Sequence, residues 1–233
     1  QAVAAMAYGI AGLPRVDIIV GPGNLFVALA KEFVFGDVAI DSIAGPSEIV
    51  VVADAAANAG FIAADMLAQA EHSPGSAILL TASAALADQV AEAVAERVAV
   101  LERADLTRDS LERFGAIVLT RSDDEAADLA NDLAPEHLSI DTRNPQATLA
   151  RIRHAGAAFL GPWSPVAAGD YAAGPSHVLP TGGTARFAAG LSANHFLRSG
   201  SVINLAHEDL AEMAADIMLL AGVEGLTAHR RSV

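Results

Sequence analysis

Short unbroken apolar runs alternate with longer helical stretches along most of this chain, and that alternation limits the fold more than any other feature. VDIIV (16–20), EIVVVA (48–53), AILLT (77–81), GAIVLT (115–120), HLSI (137–140) and AAFL (157–160) read as strands. Between them the spacing predicts helices near 24–35, 58–71, 83–103, 122–132 and 145–154. Such alternation implies βαβ units and a mainly parallel sheet. Strands that are apolar at consecutive positions imply helices covering both faces of that sheet. The expectation is an α/β, Rossmann-like body over 1–190 and a small helical unit over 191–233, whose main helix is HEDLAEMAADIMLLAG at 207–222.

Composition narrows the function class. The chain has 233 residues, 53% hydrophobic but only 5% aromatic, so its apolar mass is mostly Ala, Val, Leu and Ile, which suits α/β packing. Mean hydropathy is +0.39, yet no apolar run reaches the roughly 18 residues a spanning helix needs. A formal charge of −14 repels nucleic acid and anionic membrane surfaces. With no cysteine, a disulfide-built scaffold and a thiolate metal site are both excluded.

Five segments carry candidate chemistry. VDIIV-GPGN-LFVALAKEF is a strand, a tight turn at Gly21 and Gly23, and a helix whose start favours an anion, though without GxGxxG spacing. AGPSE places Ser47 and Glu48 at the mouth of a buried strand, where a turn or cap is the plain reading. In LAQAEHSPGS a helix must stop by Pro74–Gly75, and its last turn should project Gln69 and His72 from one face. PEH at 135–137 joins a carboxyl to an imidazole where a helix ends and a strand begins. Adjacent residues entering a strand face opposite ways, so an ion pair between Glu136 and His137 is not expected. From His154 to Ala185, Asp170 is the only formally charged residue, and if buried it needs a cation or several donors. Amide, imidazole and carboxylate together form a donor set for Zn²⁺, Mn²⁺ or Co²⁺.

Taken in order, VDIIVGPGN, IAGPSEIVVVAD, LAQAEHSPGS, LAPEHLSI, FLGPWSPVAAGDYAAGPSHVLPT and EGLTAHR resemble the histidinol dehydrogenases along essentially the whole chain. That resemblance implies NAD-dependent oxidation of L-histidinol to L-histidine with one zinc ion per site. It implies Gln69, His72, Asp170 and His229 as zinc ligands, and Glu136 and His137 as the acid–base pair. Ser47, His177 and Glu224 join Gln69, His72, His137, Asp170 and His229 around the substrate, while Gln1 and Asn24 match NAD contacts. It also implies a cytoplasmic homodimer in which the tail carrying Glu224 and His229 completes the partner's site. Family members are much longer and the chain starts at Gln1, so a fragment is expected. Pro175–Ser176 stands where the family often has Thr-Asn, and His154, His195 and His207 match nothing catalytic. Two rival readings are a related zinc/NAD dehydrogenase of another small amino or sulfo alcohol, and a zinc hydrolase with Glu136 as base. His177 and Glu224 argue against the first; GPGN, Asn24 and the doubly covered sheet argue against the second.

Overall fold

The computed structural model describes residues 1–233. Contacts divide the chain into two units, Gln1–Phe196 and Leu197–Val233.

The first unit begins with α1 (Ala2–Tyr8), β1 (Ile18–Ile19), α2 (Leu25–Val34) and β2 (Ala39–Ile40). The two short strands pair in parallel, and Val3, Ala7, Ile19, Val34 and Val38 form a small core of their own. The main body follows as β3 (Ser47–Ala53), α3 (Ala59–Ala70), β4 (Gly75–Thr81), α4 (Ala84–Val98), α5 (Ala104–Phe114), β5 (Gly115–Leu119), α6 (Asp123–Leu133), β6 (His137–Asp141), α7 (Pro145–Leu149), β7 (Ala157–Leu160) and α8 (Val166–Tyr171). Its five strands are all parallel, in the order β5-β4-β3-β6-β7.

Alternation along β3 explains why the sheet is closed on both sides. Ile49, Val51 and Ala53 pack with Ile62 and Met66 of α3 and Val90 of α4, whereas Val50 and Val52 pack with Ala126 and Ala130 of α6. Fully burying one such aliphatic side chain stabilises the fold by about 1.5–3 kcal/mol, so the sheet interior sets the position of everything at its edges. Helix starts are capped by side chains that accept main-chain N–H groups: Asn24 for α2, Asn58 for α3, Ser83 for α4, Ser122 for α6 and Asn144 for α7.

Several expected helices differ from those observed. The stretch 83–103 is not one helix: α4 ends at Val98, and an unexpected α5 follows at Ala104. No Pro or Gly breaks it. Tertiary packing does, because the turn returns the chain so that Leu111 joins the core beneath α3 and α4. The helix expected over 145–154 stops at Leu149. Buried Asn131 draws the following segment out of helical pairing: its amide donates to Arg151 O (2.9 Å) and accepts from Arg153 N (2.6 Å). After Ala185 the chain is less helical than expected, with only 3₁₀ turns before residue 207.

The second unit consists mainly of α9 (His207–Val223) and α10 (Thr227–Arg231). No helix of the protein is long and apolar enough to cross a membrane.

Candidate active site

Ser47 and Glu48 open β3, and Glu136 and His137 stand at the opening of β6, its neighbour in the sheet. The register pairs Ile49 with His137, so the amino ends of the two strands lie side by side. His72 arrives from the α3–β4 connection and Asp170 from α8. All six residues Ser47, His72, Glu136, His137, Asp170 and His177 line one cleft of about 420 Å³. Gly23 of the GPGN turn forms part of its wall.

Two glycines make this convergence possible. A Cβ on Gly75 would lie 2.1 Å from the carbonyl oxygen of Gln69, so only glycine lets the chain turn directly against the end of α3. A Cβ on Gly169 would sit 2.7 Å from the Phe159 ring. That ring in turn packs on His137, with centroids 5.9 Å apart, so glycine at 169 lets α8 lie directly against the ring that backs the imidazole. Helix α3 ends at Ala70, earlier than expected, and His72 lies in the turn beyond its cap, with its N–H bonded to Gln69 O at 3.3 Å.

The pair Glu136–His137 is buried, at 5% and 4% exposure. Contrary to expectation the two side chains approach, His137 Nδ1 lying 3.6 Å from Glu136 Oε2. Glu136 precedes the first paired residue of β6, so the pleat does not force it to the opposite face. His137 Nδ1 is also 3.2 Å from Glu48 O. A carbonyl can only accept, so the neutral ring carries its proton on Nδ1 and its lone pair on Nε2. Nε2 is buried, has no hydrogen-bond partner, and stands 3.9 Å from Asp170 Oδ1, beyond bonding range. Burial holds the imidazole below its ordinary pKa, against the pull of the Asp170 charge. Burial pushes the Glu136 carboxyl up to about 7; the charges of Glu48 and Asp170 add to this, while bonds from Glu48 N and Ser47 oppose it. The site thus holds a neutral imidazole beside a carboxyl that ionises near neutral pH, an arrangement suited to proton transfer.

Other predicted residues stand apart from this cleft. Gln69 is buried but does not line it, and its amide nitrogen has no partner. Asn24 spends its amide oxygen on capping α2, accepting from Phe26 N (3.1 Å) and Val27 N (3.2 Å). Gln1 is exposed ahead of α1. Glu224 and His229 belong to the second unit, at the end of α9 and within α10. No three His, Asp or Glu side chains come together in a spacing that would hold a metal ion. The first unit therefore fits a divalent ion only as part of a donor set: an imidazole, a carboxylate and a buried, unsatisfied amide, with a further ligand required.

Two contributors escaped the sequence reading. Lys31, 2% exposed, pairs with Asp41 and donates to Gly21 O (3.0 Å), while Asp41 accepts from Gly21 N (2.7 Å), fixing the GPGN turn. Glu48 links to both Glu136 and His137. Its one sequence signal is a charge at the threshold of IVVVA.

A family model described as histidinol dehydrogenase matches residues 1–233. The chain is 62% identical over its full length to histidinol dehydrogenase of Rhodopirellula baltica, covering 51% of that protein, and 52% identical to that of Halalkalibacterium halodurans, covering 55%. The crystal structure of histidinol dehydrogenase from Elizabethkingia anophelis superposes with a TM-score of 0.92 at 36% identity, over all of this chain and 54% of that one. The chain spans about half the length of the curated relatives it matches.

Proposed function

The chain belongs to the histidinol dehydrogenase family, and from that premise we propose that the whole protein oxidises L-histidinol to L-histidine through L-histidinaldehyde, using two NAD⁺ and one zinc ion per site. The observation that carries the reading is the single cleft in which a neutral imidazole with a free Nε2, a carboxyl ionising near pH 7 and the donors His72 and Asp170 face one another.

In each oxidation a hydride leaves the carbinol carbon as a proton leaves its oxygen. His137 Nε2 is the acceptor for that proton, its lone pair left free because the bond to Glu48 O holds the ring proton on Nδ1. Aldehyde formed first must take up water before it can lose a second hydride. Glu136, ionised at and above about pH 7, takes a proton from that water. Protonated His137 returns its proton to the former carbonyl oxygen as the hydrate forms. Neutral again, it accepts a proton from a hydrate hydroxyl as the second hydride leaves, after which the carboxylic acid ionises to the carboxylate. Ser47 and His177 hold the substrate, the former beside Glu136. NAD⁺, when bound, accepts the hydrides, and zinc, when bound, anchors the amine and imidazole nitrogens of the substrate. Gln69, His72 and Asp170 would hold the zinc, with His229 as fourth ligand. Gln1 and Asn24 would contact NAD; the amide nitrogen of Asn24 remains a donor after its oxygen has capped α2.

The protein works as a homodimer in the cytoplasm, each tail bringing Glu224 and His229 to the partner's site. Mixing whole-protein His72→Ala chains with His229→Ala chains tests this, because a mixed dimer then holds one intact site and activity returns at about one site in four. No recovery overturns the exchange. Metal analysis tests the ligand set: His72→Ala should lose bound zinc and His195→Ala should keep it, whereas equal occupancy contradicts the assignment. Nicotinamide absorbance on adding histidinol tests the activity itself.

A further inference from the structure

Glu48 lies at the start of β3, half-buried, ahead of five buried residues. A carboxylate there is costly unless its bonds are needed. It does not line the cleft, yet three hydrogen bonds tie it to Glu136 and His137, which do, and a fourth ties it to Gly182, next to the lining residue Thr181. Its N–H donates to Glu136 Oε2 at 3.0 Å, and its Oε1 accepts from the N–H of Glu136 at 3.3 Å. The same Oε1 accepts from Gly182 N at 2.9 Å, and its carbonyl stands 3.2 Å from His137 Nδ1. The bonds to Glu136 are reciprocal, main chain to side chain in each direction, so neither residue can rotate without releasing the other.

We propose that Glu48 is the positioning residue of the acid–base pair, its side chain fixing the main chain of Glu136 while its own main chain fixes the Glu136 carboxylate and the His137 tautomer. This rests on the functional reading above, in which Glu136 and His137 move the protons. The side-chain part of the role depends on reach and on acceptor capacity, not on charge. Glutamine keeps an Oε1 at the same distance and serves both N–H groups. Aspartate keeps the charge but is one methylene short, and alanine offers nothing. Losing the acceptor leaves the Glu136 and Gly182 N–H groups without it and frees the opening of β6 to drift. Geometry for water activation suffers before geometry for substrate binding, since a misplacement of about 1 Å can cost as much as ~100-fold in rate.

The test uses the whole protein, assayed with histidinol well above pH 7. Glu48→Asp and Glu48→Ala should each lower kcat by roughly 30-fold or more with KM changed less than about threefold, while Glu48→Gln stays within about threefold of the unsubstituted enzyme. In a Glu136→Gln background the same Glu48→Ala change should cost less than about threefold, because the residue it positions is already disabled. Amide exchange at 136 and 182 should quicken in the Asp and Ala variants and not in the Gln variant. Equal losses in both backgrounds, a Gln variant as impaired as Asp, or unchanged exchange would each overturn the proposal. If Glu48→Ala does not fold, the Asp and Gln pair decides alone. Failure of the unsubstituted enzyme to form NADH would overturn the functional reading instead, and the exchange measurement would still decide whether Glu48 holds the strand opening.

Discussion

Two cavities of about 420 Å³ lie at opposite ends of the same sheet, and they share more than size. At the amino ends of β3 and β6 lies the cleft with Ser47, His72, Glu136 and His137. At the carboxyl ends of β6 and β7 lies another, with Asp65, Ser139 and Asp141 on its floor and Phe61 and Trp163 on its wall. One strand serves both: His137, Ser139 and Asp141 alternate along β6 and share a face. Burial raises a carboxyl at each end, Glu136 to about 7 and Asp65 to about 6. Volume and a perturbed carboxyl therefore do not identify the reactive end. What separates them is the company: three imidazoles and an unpartnered Nε2 at the amino end, and no imidazole at the other. In doubly wound sheets ligands usually sit at the carboxyl ends of the strands. Here the chemistry collects at the amino ends, where the AGPSE, EHSPG and PEH segments meet.

The largest effect that would sharpen this contrast comes from β6 itself. In the whole protein His137→Asn should lower histidinol turnover by roughly 10²–10⁴-fold, the range for losing an acid–base group. Ser139→Ala, two residues along the same face, should change it by less than about threefold. Comparable losses from both would erase the distinction between the ends.

A smaller effect lies in the pH dependence. Glu136 must be ionised to take a proton from water, and burial holds its carboxyl up to about 7, so second-step activity should rise with pH through about 7. Glu136→Gln should abolish that limb, and Asp65→Asn should leave it in place. A limb that persists without Glu136 assigns the titration to another group.

Smaller again are the stability differences. Ile49→Ala removes a side chain buried completely between β3 and the α3–α4 layer and should cost about 2–5 kcal/mol by urea unfolding. Asp65 acts with the opposite sign. Its folded pKa, raised mainly by burial to about 6 from an ordinary 3.8, means the protonated form stabilises the fold below pH 3.8 and that contribution is lost as pH rises through 6. Asp65→Asn should therefore gain stability relative to the parent between pH 4 and pH 7, read as a rising difference in urea midpoint. A difference that stays flat with pH would contradict the burial of that carboxylate.

Much of the fold was legible because local pattern and tertiary demand agree in the central strands. EIVVVA can only be a strand covered on both sides, and β3 is that strand. The sequence misled where a distant contact decides. Asn131 ends the helix at Leu149 from twenty residues away, and packing of Leu111 splits 83–103 where propensity favours continuity. At the site, the residue types of PEH and EHSPG were visible, but their mutual geometry was not. Whether Glu136 meets His137 depends on which residue first pairs with β3, a matter of register. Glu48 was hidden for the same reason, since its partner Glu136 lies 88 residues away.

The ratio of NADH formed to histidinol consumed by the whole protein tests the central claim most directly, namely that the pair at the amino end of β6 carries both oxidations. Two NADH per histidinol are expected from the unsubstituted enzyme. In single turnover, Glu136→Gln should release the first NADH at a rate near that of the parent and the second far more slowly, because only the aldehyde stage needs water activated. One NADH per histidinol from the unsubstituted enzyme, or an equal slowing of both steps in the variant, would contradict the account.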